Sequence, residues 1–198
     1  MSETQQEKWN RVYLASETVL PSPCNVLARY GYLLPAAGRA LDLACGLGGN
    51  GLYLARRGFK VDCWDVSPIA LEKLKNFACV EKLADQIAIN CVDISAEMLK
   101  KQSFDVIVVS HFLDRILFPG IIDALNPGGL LYYQTFVKEK LARIGPKNAD
   151  YLLAQNELLR HFDGLIVRVF HDEGCIGNGS EGIRNQSMLV AQKKLSDI

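Results

Sequence analysis

Several features that define other protein classes are missing from this 198-residue sequence. None of its six cysteines forms a C-x-x-C pair and it has three histidines, so no metal-ligand pattern is visible. Lysine plus arginine and aspartate plus glutamate number 22 each, without a long basic stripe, which argues against a nucleic-acid partner. No apolar run has the length of a membrane span, and the polar N-terminus has no signal core. The cysteine usage favours a reducing, cytoplasmic location, and we expect no metal and no membrane association.

The hydrophobic fraction of 49% and the charged fraction of 22% are typical of one globular domain. From residue 39 onward, short apolar runs alternate with helical periods, a pattern typical of β-α units. The predicted strands are 40–44, 59–64, 87–92, 104–109, 130–136, 165–170 and 187–192. The predicted helices are 3–14, 23–32, 50–57, 68–77, 96–101, 116–125 and 156–162, with Ser22 and Ser67 as N-caps of the second and fourth. The last two strands have no long helix between them, so we expect an antiparallel pair in a doubly wound, mostly parallel α/β sheet with helices on both faces.

The glycine-rich segment after the first predicted strand carries the most information. Residues 41–51 read Leu-Asp-Leu-Ala-Cys-Gly-Leu-Gly-Gly-Asn-Gly, and Asp65 ends the next apolar run. Glycines let backbone N–H groups approach a ligand closely, and a helix N-terminus favours negative charge. An acid about 20 residues further on can hold a pair of ribose hydroxyls, so we predict an adenosine-containing cofactor.

The identity of that cofactor depends on Asp42. The G-x-G-x-x-G spacing of residues 46–51 also occurs in NAD sites and in plain turns. A carboxylate just before the loop opposes a pyrophosphate, but it suits a cofactor that carries an ammonium group and no phosphate, as S-adenosylmethionine does. Asp42 could instead satisfy N–H groups of the loop itself.

Further polar residues follow the third and fourth predicted strands, namely Asp93 and the pair Ser110-His111. Because ligands of doubly wound sheets lie outside the carboxyl ends of the strands, we expect these residues to converge with Asp65 on one crevice. Asp93 could alternatively cap the turn that follows it. Asp105 precedes its strand, and we expect it to be structural.

In their order along residues 39–136, these motifs resemble those of the class I S-adenosylmethionine-dependent methyltransferases. The matching segments are Asp42 with 45–48, then 64–67, 92–94, 104–110 and the turn 126–129. More narrowly, Trp-Asn-Arg-Val-Tyr at 9–13 and Asn-Glu-Leu-Leu at 156–159 resemble small bacterial methyltransferases related to tellurite-resistance and thiopurine methyltransferases. The resemblance implies a seven-stranded sheet of order 3-2-1-4-5-7-6 with strand 7 antiparallel. It also implies a single domain over 1–198, with a helical lid at 1–37, a cofactor-binding core at 38–136 and an acceptor-side loop, helix and hairpin at 137–198.

The resemblance implies S-adenosyl-L-methionine as the cofactor. Gly46 and Gly48 would lie against its methionine portion, Asp65 would hold the ribose and Asp93 would accept from the adenine amine. Val66 and Ile94 would flank the adenine, Ser110 would line the methionine end, and the aromatic faces of Trp9 and Tyr13 would cover the sulfonium. Cys45 belongs to the first motif and is expected to pack rather than to act as a nucleophile. Trp9 and Tyr13 could equally form a stripe that docks the first helix. The cofactor-binding set is therefore Trp9, Tyr13, Asp42, Cys45, Gly46, Gly48, Asp65, Val66, Asp93, Ile94 and Ser110.

Methyl transfer requires that the acceptor, the methyl group and the sulfur are aligned and that water is excluded. It also needs a base when the acceptor must lose a proton. His111 is the candidate base, and Arg115, Tyr151 and Glu157 are candidates on the acceptor side, although His111 and Arg115 could simply cap the next helix. The Asn/Asp-Pro-Pro-Tyr signature of nucleic-acid amino-methylating enzymes is absent, so we predict a small-molecule acceptor. An NAD-type oxidoreductase and a non-catalytic cofactor-binding module remain alternatives, and the chain could be a monomer or a homodimer.

Overall fold

A seven-stranded sheet dominates the computed structural model, which describes residues 3–17 and 19–195. The strands are β1 Arg39–Leu43, β2 Lys60–Asp65, β3 Ile87–Cys91, β4 Phe104–Ser110, β5 Leu125–Phe136, β6 Ile166–His171 and β7 Gln186–Gln192. Their order is β3-β2-β1-β4-β5-β7-β6, and β7 runs antiparallel to both β5 and β6. The predicted order and the predicted antiparallel strand are confirmed.

Helices cover both faces of the sheet, as predicted. They are α1 Gln5–Ala15, α2 Asn25–Tyr30, α3 Gly49–Ala55, α4 Pro68–Val80, α5 Phe118–Ala124 and α6 Glu157–His161. Alternate residues of each strand point to opposite faces. In β4, Val106 and Val108 pack in the cluster beneath α2, α3 and α4, whereas Ile107 and Val109 pack in the cluster beneath α5 and α6.

The predicted start of the second helix is wrong. The helix begins at Asn25 rather than after Ser22, and its N-cap residue is Cys24, which makes no side-chain capping bond. Side chains distant in sequence satisfy the first N–H groups, because Asn50 Oδ1 accepts from Cys24 N at 2.9 Å and Gln134 Oε1 accepts from Val26 N at 2.7 Å. Tertiary hydrogen bonds therefore replace the local cap that the sequence suggested.

Smaller differences concern the segments around β4. The predicted helix 96–101 is a single 3₁₀ turn at Ala96–Met98, and the predicted helix 116–125 begins with a 3₁₀ turn before α5. The structural role of Asp105 is confirmed, because its carboxylate accepts from Arg39 N and from Asn126 Nδ2, each at 2.8 Å. Ser67 caps α4 as predicted, with its side chain accepting from Ala70 N.

None of the helices in the described part of the chain combines the length and the apolar character needed to cross a bilayer. Within residues 3–17 and 19–195, no group of three or more His, Cys, Asp or Glu side chains is placed to hold a metal ion. The first two and last three residues of the predicted domain lie outside the described residues.

Candidate functional site

The carboxyl edge of the sheet brings the glycine loop and the end of β2 into direct contact. The loop continues from β1, and Gly46 and Gly48 adopt φ angles of +54° and +77°, which residues with a Cβ rarely tolerate. The Gly46 N–H donates to Asp65 Oδ2 at 2.8 Å, and Asp65 Oδ1 accepts from Ser67 N at 2.8 Å. Burial raises the pKa of Asp65 while these backbone donors lower it, and the net effect is a raised pKa. The Asp65 carboxylate therefore links the glycine loop to residues 64–67, which are the two predicted cofactor motifs, by hydrogen bonds.

Asp42 is completely buried behind the same loop. Its Oδ2 accepts from Gly51 N at 2.9 Å and its Oδ1 accepts from Asn50 Nδ2 at 3.1 Å. Burial raises the pKa of Asp42 to about 7, against the opposing effect of these two donors. Both oxygens are thus engaged by the protein, which favours the interpretation that Asp42 organises the loop.

Helix α1 lies over the glycine loop although none of its residues is buried. Trp9 and Tyr13 stack with ring centroids 5.8 Å apart, and the Tyr13 hydroxyl lies 2.5 Å from the position that a Cβ on Gly46 would occupy. The burial of the Tyr13 phenol and the nearby carboxylate of Asp65 raise its pKa. Tyr13 therefore occupies the space above Gly46 that a larger loop residue would fill.

Polar contacts hold α1 in this position. Gln6 Nε2 donates to the carbonyl of Val66 at 3.0 Å, and Ser67 Oγ bonds to Asn10 Oδ1 at 2.7 Å. Lys73 Nζ, from α4, donates to the carbonyls of Tyr13 and Ser16 at 2.7 and 2.9 Å. Contacts of this kind let the helix dock on the site without an apolar interface.

A cleft of about 330 Å³ lies between the start of α1 and the ends of β2 and β3. Its walls include Val66 and Val92, with Asp93 at the rim. Ile94, which was predicted to flank the adenine with Val66, instead packs against the apolar cluster under α5. The complete lining is Thr4, Gln5, Gln6, Val66, Cys91, Val92 and Asp93.

Cys45 sits between the loop and the second strand and is 8% exposed. Its thiol interacts with that of Cys63, and burial raises the pKa of Cys45 well above its ordinary value. A thiol held in the neutral form is a poor nucleophile, in accord with the predicted packing role.

Ser110 ends β4 and His111 follows it, beside the loop. Asn50 Nδ2 donates to Ser110 Oγ at 3.1 Å, so Asn50 joins Ser110 to Asp42. His111 has φ +55°, and its N–H donates to the carbonyl of Gln134 at 2.8 Å. Its ring centroid lies 5.1 Å from that of Phe136. Partial loss of water around the ring lowers the pKa of His111, against an opposing effect of Gln186, although the residue as a whole is exposed.

Arg115 and Glu157, both predicted on the acceptor side, contact each other. Arg115 Nε donates to Glu157 Oε1 at 2.6 Å and Nη2 donates to Oε2 at 3.2 Å. Arg115 also donates to the carbonyls of Asp150 and Leu152 at 2.5 and 3.1 Å, and Ala154 N donates to Glu157 Oε2 at 2.7 Å. The pair therefore fastens the segment 150–157 to the end of β4.

Tyr151 lies at the outer side of that segment and faces α1. Its hydroxyl accepts from Gln5 Nε2 at 3.3 Å, and Lys8 Nζ lies 5.8 Å from its ring centroid. Tyr151 thus joins the acceptor-side segment to the helix over the cofactor motifs.

A cavity of about 450 Å³ opens just beyond Phe136 and the end of β5. It is bounded by one apolar wall and by the carboxylates of Glu139 and Asp172. Its lining residues are Val137, Lys138, Glu139, Leu153, Ala154, Gln155 and Asp172.

Sequence reasoning missed three residues of this edge: Asn50, Gln134 and Gln186. Asn50 is a buried polar residue between two glycines, and Gln134 and Gln186 stand near the ends of otherwise apolar strands. Asp42 and Asp65 were found by searching for ionisable residues near the carboxyl end of a strand. The same search, extended to uncharged amides, would also have found Gln134.

The sheet distinguishes the chain from dinucleotide-binding dehydrogenases, whose strand order is 3-2-1-4-5-6. With β7 inserted antiparallel between β5 and β6, it has the Rossmann-like fold of the class I methyltransferases. A family comparison then defines the protein more narrowly. Residues 21–137 match the family described as "Tellurite resistance protein TehB", and the chain belongs to this family.

Among curated proteins, the chain is similar to a probable S-adenosyl-L-methionine-dependent methyltransferase TehB of Haemophilus influenzae (strain 10810). The identity is 32% over 129 residues, covering 59% of this chain and 44% of that protein. It is also 29% identical over 97 residues to a sarcosine/dimethylglycine N-methyltransferase of Aphanothece halophytica, covering 48% of this chain and 34% of that one. The chain thus spans less than half the length of these relatives.

Two solved structures have the same fold. The crystal structure of TehB from Haemophilus influenzae superposes with a TM-score of 0.70 at 20% identity, covering 94% of this chain and 67% of that one. The geranyl diphosphate C-methyltransferase of Streptomyces coelicolor A3(2), solved in complex with S-adenosyl-L-homocysteine, gives 0.67 at 16% identity and covers 95% and 97% of the two chains.

Proposed function

We propose that this chain is an S-adenosylmethionine-dependent methyltransferase that acts on a small-molecule acceptor. The observation that carries the proposal is the bond between Gly46 N and Asp65, which joins the glycine loop to the acid of β2. Membership of the TehB family supports the same activity.

The residues present fit S-adenosylmethionine, because an acid for its ribose and a cleft for its adenine lie next to each other at this edge. Asp65 has lone pairs beyond the two it gives to backbone donors, and we assign it to the ribose hydroxyls. Val66 and Val92 offer apolar walls for the adenine, with Asp93 as acceptor for its amine. We assign Gly46 to the methionine portion and Trp9 and Tyr13 to a lid; the Tyr13 hydroxyl, which fills the space beside Gly46 in this structure, would have to move when the methionine portion binds. Gly48, Cys45 and Ser110 complete the set of residues that we assign to the cofactor. Ile94 would pack behind these residues and support them.

When bound, the cofactor supplies a methyl group on a positively charged sulfur. The chain itself has to align the acceptor with that group and to exclude water. We assign the cavity beyond Phe136 to the acceptor, since its volume of about 450 Å³ suits a small molecule. His111 follows β4 beside the glycine loop, and we assign it to accepting the acceptor's proton; the lowered pKa of His111 favours the neutral imidazole that this role needs.

Calorimetry with S-adenosylhomocysteine tests the cofactor assignment. We expect binding to the wild type and thermal stabilisation by S-adenosylhomocysteine in preference to NADH. Stronger stabilisation by NADH would overturn the proposal in favour of an oxidoreductase. Binding without methyl transfer to any of a broad panel of small molecules would identify a non-catalytic module.

Replacing His111 tests its role separately. His111→Ala should lower turnover and leave the affinity for S-adenosylhomocysteine nearly unchanged. A large loss of affinity would make His111 a binding residue. His171→Ala is the matched control, because His171 pairs with Glu173 on β6 and is expected to leave both quantities unchanged.

The division into a lid at 1–37, a core at 38–136 and an acceptor-side part at 137–198 belongs to this proposal. Tyr151 supports it, because its contact with Gln5 joins the first part to the third. The cytoplasmic location and the choice between monomer and homodimer stay predictions.

A further inference from the structure

The C-terminal end of α1 is stabilised by a residue of another helix. The last carbonyl groups of a helix have no partner within it, and a basic residue nearby can supply one. The last turn of α1 contains no basic residue, and Ser16 follows it in an extended conformation. Lys73 of α4 supplies the charge instead, because its Nζ donates to the carbonyls of Tyr13 and Ser16 at 2.7 and 2.9 Å and to Ser16 Oγ at 3.2 Å. One ammonium group thus fastens this end of α1.

The helix that carries Lys73 is itself fixed to the glycine loop. Leu74, the next residue of α4, is completely buried. Its side chain fills the space that a Cβ on Gly48 would occupy. Lys73 therefore ties α1 to a part of the domain that packs in the core.

Apolar burial contributes little to the attachment of α1. None of the residues of this helix is buried, although α1 lies directly over the loop. Segments with few buried contacts open locally at a small cost in free energy. Polar contacts therefore set how large a fraction of the molecules has α1 in the closed position, and Lys73 makes three of these contacts.

The closed position of α1 conflicts with the bound cofactor. The Tyr13 hydroxyl lies 2.5 Å from the position that a Cβ on Gly46 would occupy, which is the space that we assign to the methionine portion. Tyr13 belongs to the last turn of α1, and its carbonyl is one of the groups that Lys73 binds. The residue that blocks the space is thus held in place by Lys73.

We propose that Lys73 is a positioning residue that holds α1 closed over the glycine loop and thereby limits the rate at which S-adenosylmethionine enters. The proposal rests on the proposed function where it gives the space beside Gly46 to the cofactor, whereas the attachment of α1 does not depend on that assignment. A ligand that binds only the open form is limited by the fraction of open molecules. Loss of the Lys73 bonds should therefore speed binding, although these bonds stabilise the fold.

Stopped-flow fluorescence with S-adenosylhomocysteine measures the rate of entry, with Trp9 on α1 as the reporter. Lys73→Met keeps an unbranched side chain and removes the charge with its three hydrogen bonds. The association rate constant should rise about tenfold, the effect of one hydrogen bond to a charged group. Ser16→Ala removes a smaller part of the same contact and should raise the rate constant by a smaller factor.

Lys193→Met is the matched control. Lys193 Nζ also donates to three carbonyls, at the C-terminal end of α5 and away from the loop, namely those of Ile122, Asp123 and Leu125 at 2.9, 3.1 and 2.7 Å. This variant should lose stability as Lys73→Met does, but its association rate constant should equal that of the wild type. A merely structural role of Lys73 would give the same result in both variants.

Hydrogen–deuterium exchange without ligand tests the opening of α1 by itself. The amides of residues 5–15 should exchange faster in Lys73→Met than in the wild type, and no faster in Lys193→Met. Faster exchange together with no binding of S-adenosylhomocysteine to any of these proteins would retain the attachment by Lys73 and refute the cofactor assignment. Binding to the wild type, with association to Lys73→Met no faster than to Lys193→Met, would overturn the proposal and show that the Tyr13 side chain moves aside while α1 stays closed.

Discussion

Replacing Arg115 should destabilise the protein substantially. Arg115→Ala removes two hydrogen bonds to Glu157 and two to main-chain carbonyls of the segment 150–157. The Glu157 carboxylate is 7% exposed, and it would retain the N–H of Ala154 as its close donor. A nearly buried carboxylate would thus lose its counter-charge.

The size of the effect follows from burial. Removing one partner of a fully buried ion pair costs about 3–5 kcal/mol. The Arg115 side chain is 35% exposed, so water replaces part of the interaction and we expect about 2–3 kcal/mol. For a domain of this length, 1 kcal/mol corresponds to roughly 2–4 °C, which gives a fall in Tm of about 4–12 °C.

Thermal denaturation followed by circular dichroism measures this fall. Arg11→Ala is the matched control, because the Arg11–Glu3 pair is 68% and 44% exposed and should contribute less than about 1 kcal/mol. In the double variant Arg115→Ala/Glu157→Gln, much of the loss should be recovered, because the unpaired charge is gone. If the Tm of Arg115→Ala falls no further than that of the control, the Arg115–Glu157 pair does not hold the segment 150–157 in place. Both residues would then again be candidates for binding the acceptor.

The same pair should make stability depend on pH. Burial raises the pKa of Glu157, but the Arg115 and Ala154 donors outweigh it and hold the pKa below 4.5. A carboxylate with a lowered pKa stabilises the fold above its unfolded pKa, and this contribution disappears as the pH falls through the folded value. The Tm difference between wild type and Arg115→Ala should therefore shrink as the pH falls below the ordinary pKa of glutamate.

Three further predictions concern the loop. Asp65→Asn places an amide donor against the N–H of Gly46 or of Ser67. The affinity for S-adenosylhomocysteine, measured by calorimetry, should therefore fall at least about tenfold. Asp62→Asn, on the same strand, should leave this affinity unchanged. Gly46→Ala should weaken the same binding, because alanine disfavours a φ of +54° and its Cβ would collide with the Tyr13 hydroxyl. Adding Tyr13→Phe removes that hydroxyl and should restore part of the affinity. If the double variant binds no better than Gly46→Ala, the predicted collision with Tyr13 is refuted. Because burial raises the pKa of Asp42 to about 7 from 3.8, the folded state holds a proton that the unfolded state releases. Its contribution to stability should therefore decline as the pH rises from about 4 to 7, and Tm measurements on Asp42→Asn should lack this decline.

The sheet was predictable because each strand carries its own signal. Continuous apolar runs such as 104–109 indicate strands buried on both faces, and the missing helix before β7 indicates an antiparallel return. The start of α2 was not predictable. Ser22 and Pro23 form a good local cap, but Asn50 and Gln134 bind the first N–H groups of the helix from distant positions. A local pattern cannot register such contacts.

The candidate site was predictable where charge marked it. Asp42 and Asp65 stand out because an acid at the end of an apolar strand needs an explanation, and both carboxylates accept from backbone N–H groups of the glycine-rich segment. Ile94 packs against the apolar cluster under α5 and is not among the residues that line the cleft, so its predicted contact with the adenine stays a prediction. Arg115 and Glu157 form an ion pair although they are 42 positions apart in the sequence. Motifs that span a few neighbouring residues cannot predict such a pair.

The geometry of strands explains why glutamines complete the site. Parallel strands that end together place alternate residues on one face, so the last polar residues of β1, β4 and β5 fall in one row. An ionisable group at each position would leave several buried charges side by side at high cost. Asn50 and Gln134 carry a donor and an acceptor without charge, so Asn50 joins Asp42 to Ser110 and Gln134 binds the N–H of Val26 without adding repulsion. The uncharged members thus spare the row formed by β1, β4 and β5 a second buried carboxylate beside Asp42.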